Sequence, residues 1–312
     1  MQHQTRRDFL GDSAKVCGAV SLGALTERGT AQAVPPAMSI CRWGGVAEGA
    51  DAVKTIATRL TEEAVKAVGG MASYVRQGDV VWIKPNIGWN RTPEQAANTN
   101  PDVVATLVRL CLEAGAKQVK VGDRPCHPAD EAYKNSGIEA AARAAGAEVV
   151  LVDENRFRDT ALGGERLKNW LLYPEIFESD VIIDVPIVKH HSLATATMCM
   201  KNLMGVAGGN RGQLHQDLPN CLADLTMFLK PKLCVLDAVR VMTAHGPVGG
   251  SLDDVKQLNV IAAGRDIVAL DAFGAALLGH DPTQIETVKR GHERGLGEID
   301  YKKIVPNEMS VT

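Results

Sequence analysis

Residues 79–86, DVVWIKPN, and residues 117–124, KQVKVGDR, decide the fold through the short apolar runs that they contain. The runs 79–83 and 119–121 end in charged or amide residues, a pattern that predicts buried strands. Between them, a helix is predicted from Pro101 to about Ala114, because proline suits a first helical turn and Gly115 suits a stop. Strand, helix and strand in this order predict parallel pairing with a right-handed crossover.

The same alternation of elements extends outward in both directions. Strands are predicted at 148–152, 181–188, 233–236 and 258–262. Helices are predicted at 51–69, 137–145, 219–229, 266–278 and 283–290. The predicted fold class is therefore α/β, a mostly parallel sheet of Rossmann-like βαβ units with flanking helices. A chain of 312 residues can form it as one domain or as two lobes.

Composition excludes two classes of partner. Apolar residues make up 45% and charged residues 23% of the chain, as in ordinary globular proteins. The net charge of -3 argues against a nucleic-acid binder or a protein of acidic membrane surfaces, since both need a basic surface. No apolar run reaches the roughly 18 residues of a membrane span.

The N-terminus has the pattern of a targeting signal. TRRDFL at 5–10 fits the twin-arginine pattern, the apolar stretch 16–25 follows, and Ala31-Gln32-Ala33 supplies a small-x-small cleavage signal. We expect a signal peptide at 1–33, the twin-arginine translocase as export partner, and a soluble periplasmic or otherwise extracytoplasmic body at 34–312. Cys17 follows Ala14-Lys15-Val16, a poor lipoprotein context. The alternative is a basic amphipathic helix of a cytoplasmic protein.

Polar residues follow several of the predicted strands. In open parallel sheets, ligands bind outside the carboxyl ends of the strands, so these residues predict a site rim. The alternative for any single residue is the start of a solvated loop. The residues are Lys84, Asn86, Asp123, Arg124, Asp153, Lys189, His191 and Asp237.

Three lysines lie in or after apolar runs. Lys84, Lys189 and Lys201 would be costly to bury without a partner, so their convergence would bind a carboxylate or phosphate or lower a lysine pKa. The alternative is three surface lysines with extended side chains. A glycine-rich loop at 205–212 could also present N–H groups to an anion, but it matches no phosphate-binding motif.

Metal and iron–sulfur binding have little support in the motifs. His190 and His191 are adjacent, so within a strand only one of them can face a given site. Asp123, Asp237 or His245 could add ligands, yet no zinc-site spacing is present, and the metal question stays open. The cysteines form no CxxC pair, so an iron–sulfur cluster is not supported and the cofactor stays unknown.

Taken together, the motifs resemble those of the domain of unknown function 362 family. The more specific part runs from KHHSL at 189–193 through Thr197 to KNLMG at 201–205. Shorter matches, in chain order, are 84–86, 123–125, Asp237 with 246–250, 264–272 and 295–297, so the resemblance covers about residues 78–300.

The resemblance implies a set of site residues and leaves the activity open. Many members carry attached ferredoxin-like cysteine motifs, which this sequence lacks, so their iron–sulfur role is not transferred. A looser similarity to lactate-racemase-type α/β proteins is an analogy only. The implied residues are Lys84, Asn86, Asp123, Lys189, His191, Lys201, Asn202, Asp237 and Asp271.

Two functions follow as expectations. The first is an exported, enzyme-like protein that binds a small anionic ligand, with a metal or redox cofactor left open. His191, Lys201, Lys189 and Asp123 would form its catalytic group. The second is a non-catalytic periplasmic accessory or binding protein of a redox or metal pathway. The expected ligand-binding residues of the first are Lys84, Asn86, Arg124, Asn202, Asp237 and Asp271.

Overall fold

The computed structural model describes residues 36–46 and 49–312, and the expected signal peptide, its cleavage site and Cys17 lie outside them. The strands are β1 (Met38–Trp43), β2 (Val80–Pro85), β3 (Gln118–Val121), β4 (Glu148–Val149), β5 (Arg158–Ala161), β6 (Asn169–Leu172), β7 (Val181–Val185), β8 (Ile187–His191), β9 (Thr195–Thr197), β10 (Leu233–Met242), β11 (Val255–Gly264) and β12 (Asn307–Val311). The helices are α1 (Gly49–Ala67), α2 (Pro101–Glu113), α3 (Ala129–Asn135), α4 (Ile138–Ala144), α5 (Pro174–Phe177), α6 (Cys199–Asn202), α7 (Leu218–Leu229), α8 (Ile267–Leu277) and α9 (Glu286–Glu293).

A ten-stranded sheet forms the centre, in the order β12-β1-β11-β10-β7-β2-β3-β4, with β8 beside β10 and β9 beside β8. β2, β3 and β4 are parallel, as are the pairings of β7 with β2 and with β10. β11 runs antiparallel to both β1 and β10. The predicted α/β fold class with a mostly parallel sheet is therefore confirmed.

Side chains alternate between two apolar layers, one on each face of the sheet. In β2, Val81 and Ile83 pack with α1 to α4, whereas Trp82 packs on the opposite face with α6 to α9. This period of two is what the pleat of a strand imposes, and burial on both faces explains the nearly continuous apolar run. Lys84 continues the Trp82 face, and it is fully buried there.

Several predicted strands have different bounds in the structure, and two of these differences involve predicted site residues. The predicted strand 181–188 is split at Pro186, which has no N–H for a ladder hydrogen bond, into β7 and β8. The predicted strand 233–236 continues to Met242 as β10, so placing Asp237 at a strand end was wrong. Asp237 interrupts the apolar run because its buried carboxylate accepts the N–H groups of Asn100 at 2.7 Å and Val239 at 2.9 Å.

Within the part of the chain that the structure describes, none of the helices has the length and apolarity needed to cross a membrane.

Candidate functional site

A cavity of about 260 Å³ lies at the carboxyl ends of β2, β3 and β8, the edge where the sequence predicted a site rim. Of the predicted site residues, it brings together Asn86, Asp123, Arg124, Lys189, His191, Lys201 and Asn202. Lys84, Asp237 and Asp271 do not line it.

Lys84 lies just behind the cavity wall, where its amino group is fully used. Its Nζ is 2.8 Å from Asp123 Oδ1 and donates hydrogen bonds to Asn202 Oδ1 at 3.2 Å and the Pro85 carbonyl at 2.9 Å. Both members of the ion pair are buried, and the other Asp123 oxygen accepts the Ile87 N–H at 2.8 Å. Because a lysine has three donors, none is left for a ligand. Lys84 therefore fixes the position of Asp123.

Asn202 and Asn86 join this ion pair to the cavity. Asn202 Oδ1 accepts from Lys84 and from Asn86 Nδ2 at 3.0 Å, and its Nδ2 donates to Asp184 Oδ1 at 2.8 Å and to the Lys84 carbonyl at 3.0 Å. Asn86 Oδ1 in turn accepts from Lys189 Nζ at 3.2 Å. The oxygen of the Asn202 side chain accepts two hydrogen bonds and its NH2 group donates two, so no donor or acceptor is unused. Asn202 therefore holds its neighbours in fixed orientations.

Lys189 is buried in the cavity wall and has no carboxylate partner among the described residues. Its Nζ donates to Asn86 Oδ1, to the Ala97 carbonyl and to the Pro247 carbonyl at 3.3 Å. Burial, and next the charge of Lys201, lower the pKa of Lys189 to about 7. This amine can therefore change its protonation state near neutral pH.

Lys201, at the end of the short helix α6, is the cavity amine with no hydrogen-bond or ion-pair partner in the described parts of the chain. Burial, and next the charge of Arg211, lower the pKa of Lys201 to about 8. A lysine without a counterion in a cationic surrounding is the kind of group that binds an anion or reacts as a nucleophile.

His191 presents only one ring nitrogen to the cavity. Its Nδ1 accepts the N–H groups of Leu193 at 3.1 Å and Ala194 at 3.2 Å. A nitrogen that accepts two N–H groups carries no proton, so the neutral ring has its hydrogen on Nε2. Burial, and next the charge of Lys201, lower the pKa of His191 to about 3. His190 does not line the cavity, which agrees with the predicted alternation.

Two arginines that line the cavity differ in whether a carboxylate neutralises their charge. Arg124 forms a two-pronged ion pair with Glu154, at 2.5 and 3.0 Å. Arg211 donates to the carbonyls of Arg124 at 2.7 Å and Pro125 at 3.3 Å, and its Nη2 lies 3.0 Å from the thiol of Cys126. Arg211 lines the cavity and has no carboxylate partner in the described residues, so no carboxylate there neutralises its charge.

Asp271 and Asp237 support the site from a distance. The carboxylate of Asp271, on α8, accepts the N–H groups of Cys199 at 2.6 Å and Met200 at 3.2 Å at the start of α6. It thereby caps the helix that carries Lys201. Burial raises the pKa of Asp271 to about 7 and that of Asp237 to about 6. Neither contacts the cavity, so the expectation that they touch a ligand finds no support in their positions.

A separate group behind the cavity has the geometry of metal ligands. One carboxylate oxygen of Asp184 and the Sγ atoms of Cys199 and Cys234, which we call the Asp-Cys-Cys cluster, all lie within 4.8 Å of one another and are buried. Asp184 Oδ2 has no hydrogen-bond partner. Burial raises the pKa of Asp184 and of Cys199 well above their usual ranges, so a cation would have to displace protons here.

The sequence interpretation missed several residues of the site. Arg211 could have been predicted from the sequence, because it is a cation within the glycine-rich loop that was considered as an anion contact. No sequence pattern indicated Asp184, which lies inside an apolar strand. The missed residues that line the cavity are Trp89, Cys126, Arg211 and His215.

Comparison with known proteins shows the family to which this chain belongs. The family described as "Domain of unknown function (DUF362)" matches residues 81–276, more than half of the chain, so the chain belongs to that family. The thylakoid-associated protein sll1697 of Synechocystis sp. (strain ATCC 27184 / PCC 6803 / Kazusa) is a relative with 29% identity over 260 residues, which are 79% of each chain.

Two solved structures match this chain at low similarity. The lactate racemase apoprotein from Thermoanaerobacterium thermosaccharolyticum matches with a TM-score of 0.48 and 11% identity, over 79% of this chain and 57% of that one. A protein from Thermotoga maritima matches with a TM-score of 0.37 and 12% identity, over 73% and 58%. The chain thus spans less than two thirds of the length of either structure.

Proposed function

We propose that the protein binds a small anion, best matched by a carboxylate, in the cationic cavity and acts on it as an enzyme. One observation carries this proposal. Asp123 is the only acidic residue among the described residues of the lining, and it is already neutralised by Lys84, whereas Lys189, Lys201 and Arg211 have no carboxylate partner there. An uncompensated positive cavity of about 260 Å³ favours a small negative ligand.

The contacts support different roles for the cavity residues in binding the ligand, transferring a proton and positioning these groups. Lys201 and Arg211 bind the negative charge, and the Nε2–H of His191 donates a hydrogen bond to the ligand. Lys189 suits a proton-transfer role better than His191, because an acid or base works best when its pKa lies near the working pH. Lys84 and Asn202 position these groups through Asp123 and Asn86.

Isothermal titration with oxalate at low salt tests the proposal. The wild type should bind oxalate, and Lys201→Ala should weaken the affinity about tenfold or more, because a charge-assisted hydrogen bond contributes roughly 1.5–3 kcal/mol. Lys120→Ala is the matched control, since Lys120 is also partly buried but pairs with Glu175 away from the cavity. Equal affinities for wild type and Lys201→Ala would exclude this cavity as the binding site.

The alternative is a non-catalytic accessory or binding protein of a redox or metal pathway. Proton transfer distinguishes the two roles, because an enzyme that abstracts a proton exchanges it with solvent. We would follow the Cα hydrogen of lactate by NMR in D2O with wild type and Lys189→Met. Exchange by the wild type alone supports the enzyme. Tight binding of oxalate without exchange across a panel of small hydroxy and keto acids supports the accessory role.

The location of this activity rests on the N-terminal sequence. We infer that residues 1–33 are a twin-arginine signal peptide and that residues 34–312 act as a soluble extracytoplasmic domain. Because the twin-arginine route carries folded proteins, a ligand or cofactor could be bound before export.

A second candidate function is cation binding at the Asp-Cys-Cys cluster. The unpartnered, buried oxygen of Asp184 favours it, since a buried polar atom without a partner is costly. Two thiolates and a carboxylate suit zinc or a similar ion. We would measure cobalt substitution by absorption spectroscopy. A thiolate-to-cobalt band that is lost in Cys199→Ser and kept in Cys111→Ser, a buried cysteine outside the cluster, supports this function.

A further inference from the structure

The three lysines near the cavity are in very different states. Lys84 is committed to Asp123, Asn202 and a carbonyl, and Lys189 is committed to three neutral acceptors. Lys201 alone reaches the cavity with no bonding partner in the described residues. The Lys201 amine is therefore free to react with a bound molecule through its lone pair, or to donate all of its hydrogen bonds to that molecule.

The surroundings of Lys201 disfavour its ammonium form. No carboxylate of the described residues pairs with it, Arg211 contributes a like charge, and Met204 and Leu193 supply apolar lining. Amines in such places are nucleophilic at moderate pH, because desolvation and neighbouring cations favour the neutral form.

Two other donors that line the cavity can bind a carboxylate. Arg211 and the Nε2–H of His191 share the cavity with Lys201. A ligand with a carboxylate on these groups and a carbonyl on the adjacent carbon would present its electrophilic carbon to the amine. The small volume restricts such a ligand to few heavy atoms.

We propose that Lys201 is the nucleophile that forms an imine with a small 2-oxo acid bound in this cavity. This inference rests on the proposed anion-binding function. The Lys201 nitrogen forms a bond to the carbonyl carbon, and the carbonyl oxygen takes up a proton to give a carbinolamine. Loss of the nitrogen proton and of the hydroxyl as water gives the imine, so one amine and one ketone yield one imine and one water without an oxidant or reductant.

Reductive trapping tests this step. The purified full chain would be incubated with pyruvate and sodium cyanoborohydride, and the modified residue located by peptide mass spectrometry. One reduced adduct is expected on Lys201, absent from Lys201→Arg and retained in Lys120→Arg. Far-UV circular dichroism checks that Lys201→Arg is folded.

The outcomes separate this inference from the function beneath it. Oxalate binding without an adduct, or an adduct on another lysine, overturns the imine and leaves the anion-binding proposal intact. No oxalate binding by the wild type overturns the anion-binding proposal itself.

Discussion

Gly205 lies where any side chain would collide with the buried ion pair. A Cβ atom built there would be 1.8 Å from Asp123 Oδ1 and 2.6 Å from Lys84 Nζ. Both atoms are fixed by several hydrogen bonds, so neither can move away cheaply. The lack of a side chain at Gly205 thus leaves the space in which Lys84 and Asp123 form their ion pair.

Gly205→Ala should therefore lower the free energy of unfolding by about 1–3 kcal/mol or more. Gly88→Ala is the control, because its Cβ would have only an ordinary contact, 3.5 Å from Asn86 Oδ1. Urea denaturation of the two variants and the wild type measures the difference. Equal unfolding free energies for the two variants would show that the ion pair tolerates displacement.

The hydrogen bonds of His191 define its ring state, and this is open to direct observation. We expect nitrogen NMR of labelled protein to show neutral His191 with its proton on Nε2, unchanged from about pH 5 to 8, because its pKa is lowered to about 3. The spectrum of His191→Asn assigns the signal. Titration of this signal near pH 6.5 would contradict the tautomer and the donor role that we assign to it.

At the scale of residues, the sequence predicted seven residues that line one cavity, but it gave its three lysines the same role. Lys84 and Lys201 follow apolar runs alike, and their types and spacing give no reason to separate them. Their difference comes from partners far along the chain, such as Asn202 for Lys84, which is 118 residues away. Such contacts depend on the packing of whole elements, which a local pattern does not contain.

Among the elements, α6 depends on a residue of another helix. Its first N–H groups, of Cys199 and Met200, are accepted by the buried carboxylate of Asp271 on α8. Burial raises the pKa of Asp271 to about 7, from about 4 in an unfolded chain. Between these values the folded protein holds a proton that the unfolded chain has lost.

The contribution of Asp271 to stability should therefore be full below about pH 4 and lost as the pH rises through about 7. Its slope should not exceed about 1.4 kcal/mol per pH unit. We would compare the unfolding free energies of wild type and Asp271→Asn by urea denaturation from pH 4 to 8. The wild type should lose stability relative to the variant as pH rises, because the raised pKa of Asp237 is common to both. Parallel curves would contradict the proton on Asp271.

Elements with a strong periodic pattern were predicted well, and interrupted ones were not. The predicted helix from Pro101 to about 114 is α2, with bounds one residue apart. β10 was cut short because Asp237 looked like an end, although its carboxylate is satisfied by backbone N–H groups of another segment and of its own strand. β1 and β12 were not predicted, since neither has a clear apolar run.

For the whole molecule, the proposed location can be tested independently of the ligand. Arg6→Lys combined with Arg7→Lys should abolish export and leave the protein uncleaved in the cytoplasm, because the twin-arginine route reads the arginine pair. Cell fractionation with immunoblotting measures this. Lys15→Arg, which keeps the charge within the same segment, is the control and should still be exported. Export of the double variant would exclude the twin-arginine route.

The topology of the molecule was predictable only where neighbours in sequence are neighbours in space. β2, β3 and β4 follow the crossover rule, so their parallel order came directly from the sequence. The antiparallel β11 and the position of β1 between β11 and β12 follow no local rule, because they are set by pairings across most of the chain.

This placement of β1 has a consequence for the order of events during synthesis. Met38 pairs with Gly264, and Trp43 pairs with Val311. The earliest of the described strands can therefore form its pairings only after the last two strands have been synthesised. Such a high contact order slows completion of the sheet. A chain that ends before residue 307 therefore leaves one edge of β1 unpaired.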